Sequence, residues 1–272
     1  MPALRGAPGR LVRLHFSAWS RGLAVTVNVN PESPRSDDTG PVGSGTEREK
    51  CGLDIRAMAG ELREVLRSLR AGDTEAQGEL ARLPEELRVL RQIALAGDAE
   101  PTLSASFDEV VTHVVYERAV SRLPFFKIVL FTDATALDLP AAQAGLRRFS
   151  PRDEVWMKFG GGWKAIAAPT GKSVGDTGRA FRNIVTVARE RPVVVQSVFV
   201  RGEGGGTSEA ELAVYLDELR KLLAAGAKIS EAQICSAPEL APAHPCAQVP
   251  LATLMQIAAR VREATRLPTG VF

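Results

Sequence analysis

The sequence predicts an α/β fold built on a parallel sheet, and three observations carry that prediction. Short β-branched runs alternate with longer segments of helical period along most of the 272 residues. In "ELAVYLDELRKLL" the residues Leu212, Tyr215, Leu216, Leu219, Leu222 and Leu223 recur at spacings of three and four, which defines a helix packed by one stripe against a sheet. A hydrophobic content of 45% over this length is enough for a substantial core, and α/β barrels of this size form as one domain.

Taken in order, the strands are Leu23–Asn28, Val89–Ala96, Lys127–Thr132, Glu154–Lys158, Val193–Val200 and Lys228–Ile234. The helices that follow them cover 54–69, 106–120, 139–149, 176–191, 208–226 and 250–265. These are six βα units, and regular alternation implies parallel strands joined by right-handed crossovers, in an open sheet or one curled into a barrel. In either case ligands bind at the C-terminal edge of the strands, where the βα loops gather. The polar stretch from Gly72 to Leu83 decorates the fold without dividing it.

The segment "VNVNPESPRSDDTGPVGSGTEREKCG", residues 27–52, leaves the first strand and then offers a core almost nothing for some twenty residues. A loop of that length on the ligand-binding edge calls for a functional reason.

Composition removes several classes of function. With 34 basic and 32 acidic residues the formal charge is +2, so no single-sign field of the whole chain draws it to nucleic acid or an anionic membrane. No apolar run reaches the roughly 18 residues that suggest a membrane span. Arg5, Arg10, Arg13 and Arg21 precede the first acid, Glu32, a pattern shared with organellar transit peptides. The same stretch lacks the apolar core of a secretory signal and is read as a solvated extension. Three dispersed cysteines, Cys51, Cys235 and Cys246, do not make a disulfide framework and fit a reducing, cytoplasmic setting.

Most local motifs weaken on inspection. "APTGKS" at 168–173 has the Gly-Lys-Ser of a phosphate loop, but Ile166 stands where the first glycine is needed. "RGEGGGTSEAE" at 201–211 is a connector in which Thr207 or Ser208 caps the next helix, with Glu211 as the partner of a capping box. Cys235, His244 and Cys246 lack an evident fourth zinc ligand, and the three histidines do not pair with a nucleophile. "LAGDAEPTL" at 95–103 is more informative. An apolar strand ends in Gly97, and Glu100, Pro101 and Thr102 follow at once, placing a carboxylate at a strand tip where it can receive a ligand's amino group.

Six segments in order resemble the radical S-adenosylmethionine (radical SAM) superfamily, from about Ser20 to Phe272. "SRGLAVTVNVNP" is similar to the family's first strand and its exit, and "LAGDAEPTLSASFDEVV" to the segment carrying Gly-Glu-Pro-Thr. "KIVLFTDAT" resembles a third strand ending in Thr-Asn-Ala-Thr, and "DEVWMKFGGG" a fourth ending in Lys-Leu-Asp-Ala-Gly. "RPVVVQSVFVRGEG" resembles the fifth strand, and "PLATLMQIAARVREATRLPTGVF" the closing helix.

The resemblance implies a parallel (βα)6 partial TIM-like barrel spanning 20–272, preceded by an extension over 1–19. It also implies a [4Fe–4S] cluster held by C-x3-C-x2-C in the loop after strand one, and S-adenosylmethionine bound through its amino and carboxylate groups to that cluster. Family enzymes cleave the sulfonium reductively to a 5′-deoxyadenosyl radical. Carried over residue by residue, the cofactor pocket comprises Gly97, Glu100, Pro101, Thr102, Thr132, Asp133, Lys158, Gln196 and Ser197.

The chain departs from this pattern where the chemistry is most demanding. Residues 29–50 contain no cysteine, and Cys51 alone offers one thiolate where three are needed. The serine, aspartate and glutamate of the loop are hard ligands unsuited to an iron–sulfur cluster. Ala99, Asp133 and Gly160 also replace the family's glycine, asparagine and aspartate. The expectation is a barrel that has lost the cluster in the loop at 29–52 and keeps at most a small-molecule site, possible ligand S-adenosylmethionine, at its C-terminal edge. Two alternatives stay open. One is an active enzyme whose loop is changed by a frame slip over 31–50 or completed by another chain, and the other is an interaction protein that uses the barrel surface.

Overall fold

A computed structural model describes residues 10–31, 53–73, 78–160, 177–200, 208–236 and 249–272. One eight-stranded sheet runs in chain order from β1 to β8 and is not closed into a full barrel. Its strands are β1 (Val12–Ser17), β2 (Gly22–Asn28), β3 (Leu90–Ala96), β4 (Lys127–Thr132), β5 (Glu154–Lys158), β6 (Val193–Phe199), β7 (Ile229–Ser236) and β8 (Thr269–Val271). All neighbours are parallel except β1 and β2, which pair antiparallel. The helices are α1 (Ile55–Ala71), α2 (Phe107–Val120), α3 (Pro140–Leu146), α4 (Thr177–Glu190), α5 (Glu209–Ala224) and α6 (Leu251–Thr265). The six predicted βα units are therefore present, as a partial barrel.

Alternation along the strands separates two faces. Leu23, Val25 and Val27 on β2, Ile93 and Leu95 on β3, Ile128 and Leu130 on β4, and Val155 and Met157 on β5 join the helices' apolar stripes in the main core. The opposite residues, Ala94, Ala96, Val129, Phe131, Trp156 and Val194, form a second cluster on the concave inner face. Strands that are buried on both sides read as near-continuous apolar runs, which is why they were legible.

The ends of the elements follow local chemistry. Asp54 caps α1 by accepting from the Ala57 amide at 2.9 Å, and Gly72 closes it in the left-handed conformation. Ser208 and Glu211 form the reciprocal capping box of α5. Helix α3 stops at Leu146, short of the predicted 149, because Arg148 and Phe149 bond to carbonyls three residues back and Pro151 follows.

Two strands lay outside the sequence prediction. Residues 12–17, assigned to a solvated extension, pair with β2, and Glu61 of α1 accepts from the Leu11 and Val12 amides at 3.0 and 2.9 Å. The extension reading is corrected for this segment. The three-residue β8 pairs with β7 and leaves the far side of the sheet as an edge. Among the described residues no helix is long and apolar enough to cross a membrane.

The N-terminal rim of the barrel is tied by Asp153, whose side chain is fully buried. It accepts from both Nη atoms of Arg118 on α2, from the Ile128 amide that opens β4 at 2.7 Å, and from the Ser150 amide and hydroxyl at 2.8 Å each. Burial acts to raise the Asp153 pKa, but Arg118 and the amide donors outweigh it and hold the carboxyl below its usual value. A depressed pKa stabilises the fold above the unfolded value, about 3.9, and that contribution is lost as pH falls through the folded value. Asp153→Ala leaves Arg118 and three donors without their acceptor and is expected to cost about 3 kcal/mol at pH 7 in urea unfolding. The difference from wild type should shrink as the pH is lowered below about 4.

Candidate functional site

The sequence places a carboxylate at the tip of β3, and the fold determines what that carboxylate can touch. Because β3 and β4 run in parallel register, with Leu95 opposite Leu130, Gly97 comes opposite Thr132 at the C-terminal edge. Glu100 then reaches across the gap. Its Oε1 accepts from the Thr102 hydroxyl at 2.6 Å, the Thr102 amide at 3.3 Å and the Thr132 hydroxyl at 2.5 Å, while Oε2 accepts from the Asp133 amide at 2.8 Å. Three of the four donors converge on Oε1, and Oε2 receives one. Glu100 thus clamps two strand tips together, and Oε2, which takes one donor, still faces the edge where the sequence reading expects a ligand's amino group. Pro101 opens a single 3-10 turn beneath it, and Pro101 and Thr102 are buried.

Glu100 is half-buried as a residue, yet desolvation of its carboxylate is the main cause of a raised pKa, and the charge of Asp133 adds to it. The hydrogen bonds from Thr102, Thr132 and the Asp133 amide oppose that rise without cancelling it. Asp133 turns its own Oδ1 to the Thr135 amide and hydroxyl at 2.9 and 2.6 Å. Ala134 follows with φ of 64° and is held by the Thr132 hydroxyl, which accepts from its amide, and by Asn183, which donates to its carbonyl at 2.8 Å. Left-handed backbone at an alanine costs on the order of 1 kcal/mol, so this edge stores strain that the surrounding bonds maintain.

Gly97 is needed by contact: a Cβ there would sit 2.6 Å from the Ala99 carbonyl and 3.1 Å from the Asn30 amide. The close approach is fastened by residues that the sequence reading did not select. Asn28 exchanges bonds with Asp98, Nδ2 to Oδ2 at 2.8 Å and the Asp98 amide to Oδ1 at 3.3 Å. Asn30 donates to the Glu100 carbonyl at 3.0 Å and accepts from the Ala99 amide at 3.2 Å. The alternating Val-Asn-Val-Asn at 27–30 was the available signal, since it puts both amides on one side of the departing strand.

The other predicted residues divide. Lys158 at the tip of β5 is in register with Gln196, and Gln196 with Gln233, so the three form an inner-face row across β5, β6 and β7. Gln196 donates to Gln233 at 3.1 Å, and Gln233 to Glu231 at 3.1 Å. Ser197, one residue on, faces the helices, as alternation requires, and its hydroxyl meets the Tyr215 hydroxyl at 2.8 Å in the core. It does not join the others. Gly160 has φ of 92°, and a Cβ there would lie 3.2 Å from the Tyr215 ring, so the aspartate of the resembling pattern does not suit this backbone.

Below the edge the inner face is filled. Trp19, in the β1–β2 turn, packs on Phe131 and Trp156 with centroids 6.1 and 6.3 Å away, and Phe131 lies edge-on to Trp156 at 4.9 Å. Lys127 stacks over Trp156 and pairs with Glu154 at 2.7 Å. A ligand at the strand tips meets this aromatic layer as its floor.

The donor set for an iron–sulfur cluster does not fit. The sequence supplies no cysteine between 29 and 50, and Cys51, His244 and Cys246 lie outside the described residues, as do 32–52, 168–173 and 201–207. Cys235 is buried on the inner face of β7, where desolvation pushes its thiol up to about 12. Among the described residues no three His, Cys, Asp or Glu side chains are grouped to hold a metal ion.

Two substitutions test this geometry. Asp133→Asn removes the like charge beside Glu100 while keeping an acceptor for Thr135. It should raise Tm at pH 7 by about 2–4 °C, the shift that ~1 kcal/mol produces in a chain of this size, with the gain fading as pH falls through the raised Glu100 pKa. The sign follows from Glu100: its raised folded pKa makes the fold more stable below the unfolded value and less stable as pH rises through the folded one. Gly160→Asp should lower stability by about 1–2 kcal/mol in chemical unfolding.

No family model matches the chain, and no curated protein matches it. Solved structures do. SuiB from Streptococcus suis, in a crystal structure with S-adenosylmethionine bound, aligns with a TM-score of 0.50 at 12% identity over 84% of this chain and 45% of its own. A radical SAM methyltransferase from Sphaerobacter thermophilus aligns with a TM-score of 0.56 at 17% identity over 96% of this chain and 68% of its own. The chain spans less than half the length of SuiB. At these identities the likeness establishes the fold: the chain is an open, mostly parallel α/β barrel of the kind found in radical SAM enzymes.

Proposed function

We propose that this chain is a radical SAM-type barrel that no longer performs cluster chemistry and uses the C-terminal edge of β3 and β4 to bind a small cationic metabolite, with S-adenosylmethionine as the candidate. The observation that carries the reading is the Glu100 clamp. A desolvated carboxylate beside a second one is unfavourable at neutral pH, and a cationic group seated at the same edge offsets that repulsion. S-Adenosylmethionine brings two such groups, a sulfonium and an ammonium. The solved SuiB complex supports the choice of ligand, since that protein shares the fold and binds S-adenosylmethionine in its crystal structure.

In this reading Glu100 and Asp133 contribute negative potential, and Gly97 keeps the β3 tip close to Asn30. The Trp19, Phe131 and Trp156 layer limits how deep the ligand can sit. Three donors fall on Oε1 and one on Oε2, so Oε2 can accept from a ligand's amino group while the carboxylate also supplies charge and aligns the neighbouring backbone. With one cysteine between 29 and 52 the chain supplies one thiolate where the cluster of the reductive step takes three.

Isothermal titration calorimetry tests this. S-Adenosylmethionine is expected to bind at one site, and S-adenosylhomocysteine, which lacks the sulfonium charge, about tenfold more weakly, a difference of ~1.4 kcal/mol. Asp133→Asn should weaken S-adenosylmethionine while leaving S-adenosylhomocysteine nearly unchanged. Absence of heat with either compound, or equal affinity for both, contradicts the proposal.

A further inference from the structure

The N-terminal rim, opposite the candidate site, carries a second built surface. A cleft of about 610 Å³ lies between the connections that lead into β4 and β5, and its walls include Arg118, Leu123, Pro124, Phe125, Pro151 and Arg152. Phe125 is 55% exposed. The Arg152 guanidinium stacks over the Phe125 ring, 5.0 Å from its centroid, so a cation and an aromatic face are presented together.

The walls are fixed by Asp153, whose buried carboxylate holds Arg118, Ser150 and the start of β4 in place. Arg191 adds bonds to the Ser150 and Asp153 carbonyls at 3.0 and 2.7 Å and stacks on Phe149. The surface therefore does not have to be ordered by a partner, which lowers the cost of association.

Its charge is one-sided. Arg122 adjoins the cleft on one connection and Arg147 and Arg148 on the other, all exposed, and neither connection offers an exposed carboxylate because Asp153 is spent internally. The apolar surface continues along α2 through Val120 and Tyr116, which are 45% and 58% exposed, beside Arg67 and Arg70 of α1. Basic residues in the last turns of α1, α2 and α4, and Arg147 as the C-cap of α3, complement the helix dipoles, while Arg152 lies beyond any helix end and faces the cleft.

We infer that this rim docks an acidic peptide segment of a partner protein, which places an apolar side chain against Phe125 and its carboxylates against Arg122, Arg147, Arg148 and Arg152. The exposed apolar wall favours a peptide over a nucleic acid, whose phosphates would use the arginines and leave Leu123, Pro124 and Pro151 uncovered. The inference is independent of any ligand at the opposite edge.

Fluorescence anisotropy with the purified full chain provides the test. The probe is a short fluorescein-labelled synthetic peptide whose glutamates flank two leucines and a phenylalanine, read against a labelled oligothymidylate. The peptide is expected to bind, and Phe125→Ala and Arg152→Glu are each expected to weaken it about tenfold. Arg220→Glu, an equal charge change on exposed α5, should leave it unaltered. The inference is overturned if wild type does not bind the peptide or if Arg220→Glu weakens it as much as Arg152→Glu. Tighter binding of the oligothymidylate than of the peptide overturns it too, and assigns the rim to nucleic acid.

Discussion

Strand β4 is held at each end by a buried carboxylate, and both rims of the barrel depend on that arrangement. At the N-terminal end Asp153 receives the Ile128 amide and is answered by Arg118. At the C-terminal end Glu100 receives the Thr132 hydroxyl and the Asp133 amide, and the neighbouring charge that acts on it is Asp133's, of the same sign. One end is electrostatically settled and the other is under stress. That contrast separates a rim whose rigidity serves as a scaffold from a rim whose charge suits a ligand.

The stress is sustained by the fold around it. Gly97 and the Asn28–Asp98 and Asn30–Glu100 bonds fix the β3 tip, while Asn183 secures the left-handed Ala134 after β4. Packing of Trp19 under the same edge closes the space beneath it. Polar groups fastened this tightly at strand tips fit the general placement of ligand sites in parallel α/β folds. The loop after β2 is long enough for a further component, but its composition supplies one thiolate where a cluster takes three.

Much of this architecture was legible because the parallel strands are buried on both faces and their helices carry clear stripes. The β3 tip was legible because Gly97, Glu100, Pro101 and Thr102 are adjacent in sequence. What escaped depends on contacts between distant residues. β1 was masked by Arg13 and the arginines on either side of it, Arg10 and Arg21, although Val12, Leu14 and Phe16 alternate with Arg13, His15 and Ser17 at the period of a strand. The clamp made by Glu100 could not be read without knowing that Thr132 and the Asp133 amide lie within its reach, 32 and 33 residues away. Ser197 illustrates a different limit, since it matches a pattern by position while strand alternation turns it to Tyr215.

The proposal rests on this radical SAM-type barrel not holding an iron–sulfur cluster, and anaerobic reconstitution with iron and sulfide addresses that directly. After removal of unbound metal, iron and sulfide at background with no thiolate-to-iron absorption band is the predicted result. About four irons per chain together with that band would contradict the account and return the loop at 29–52 to a catalytic role.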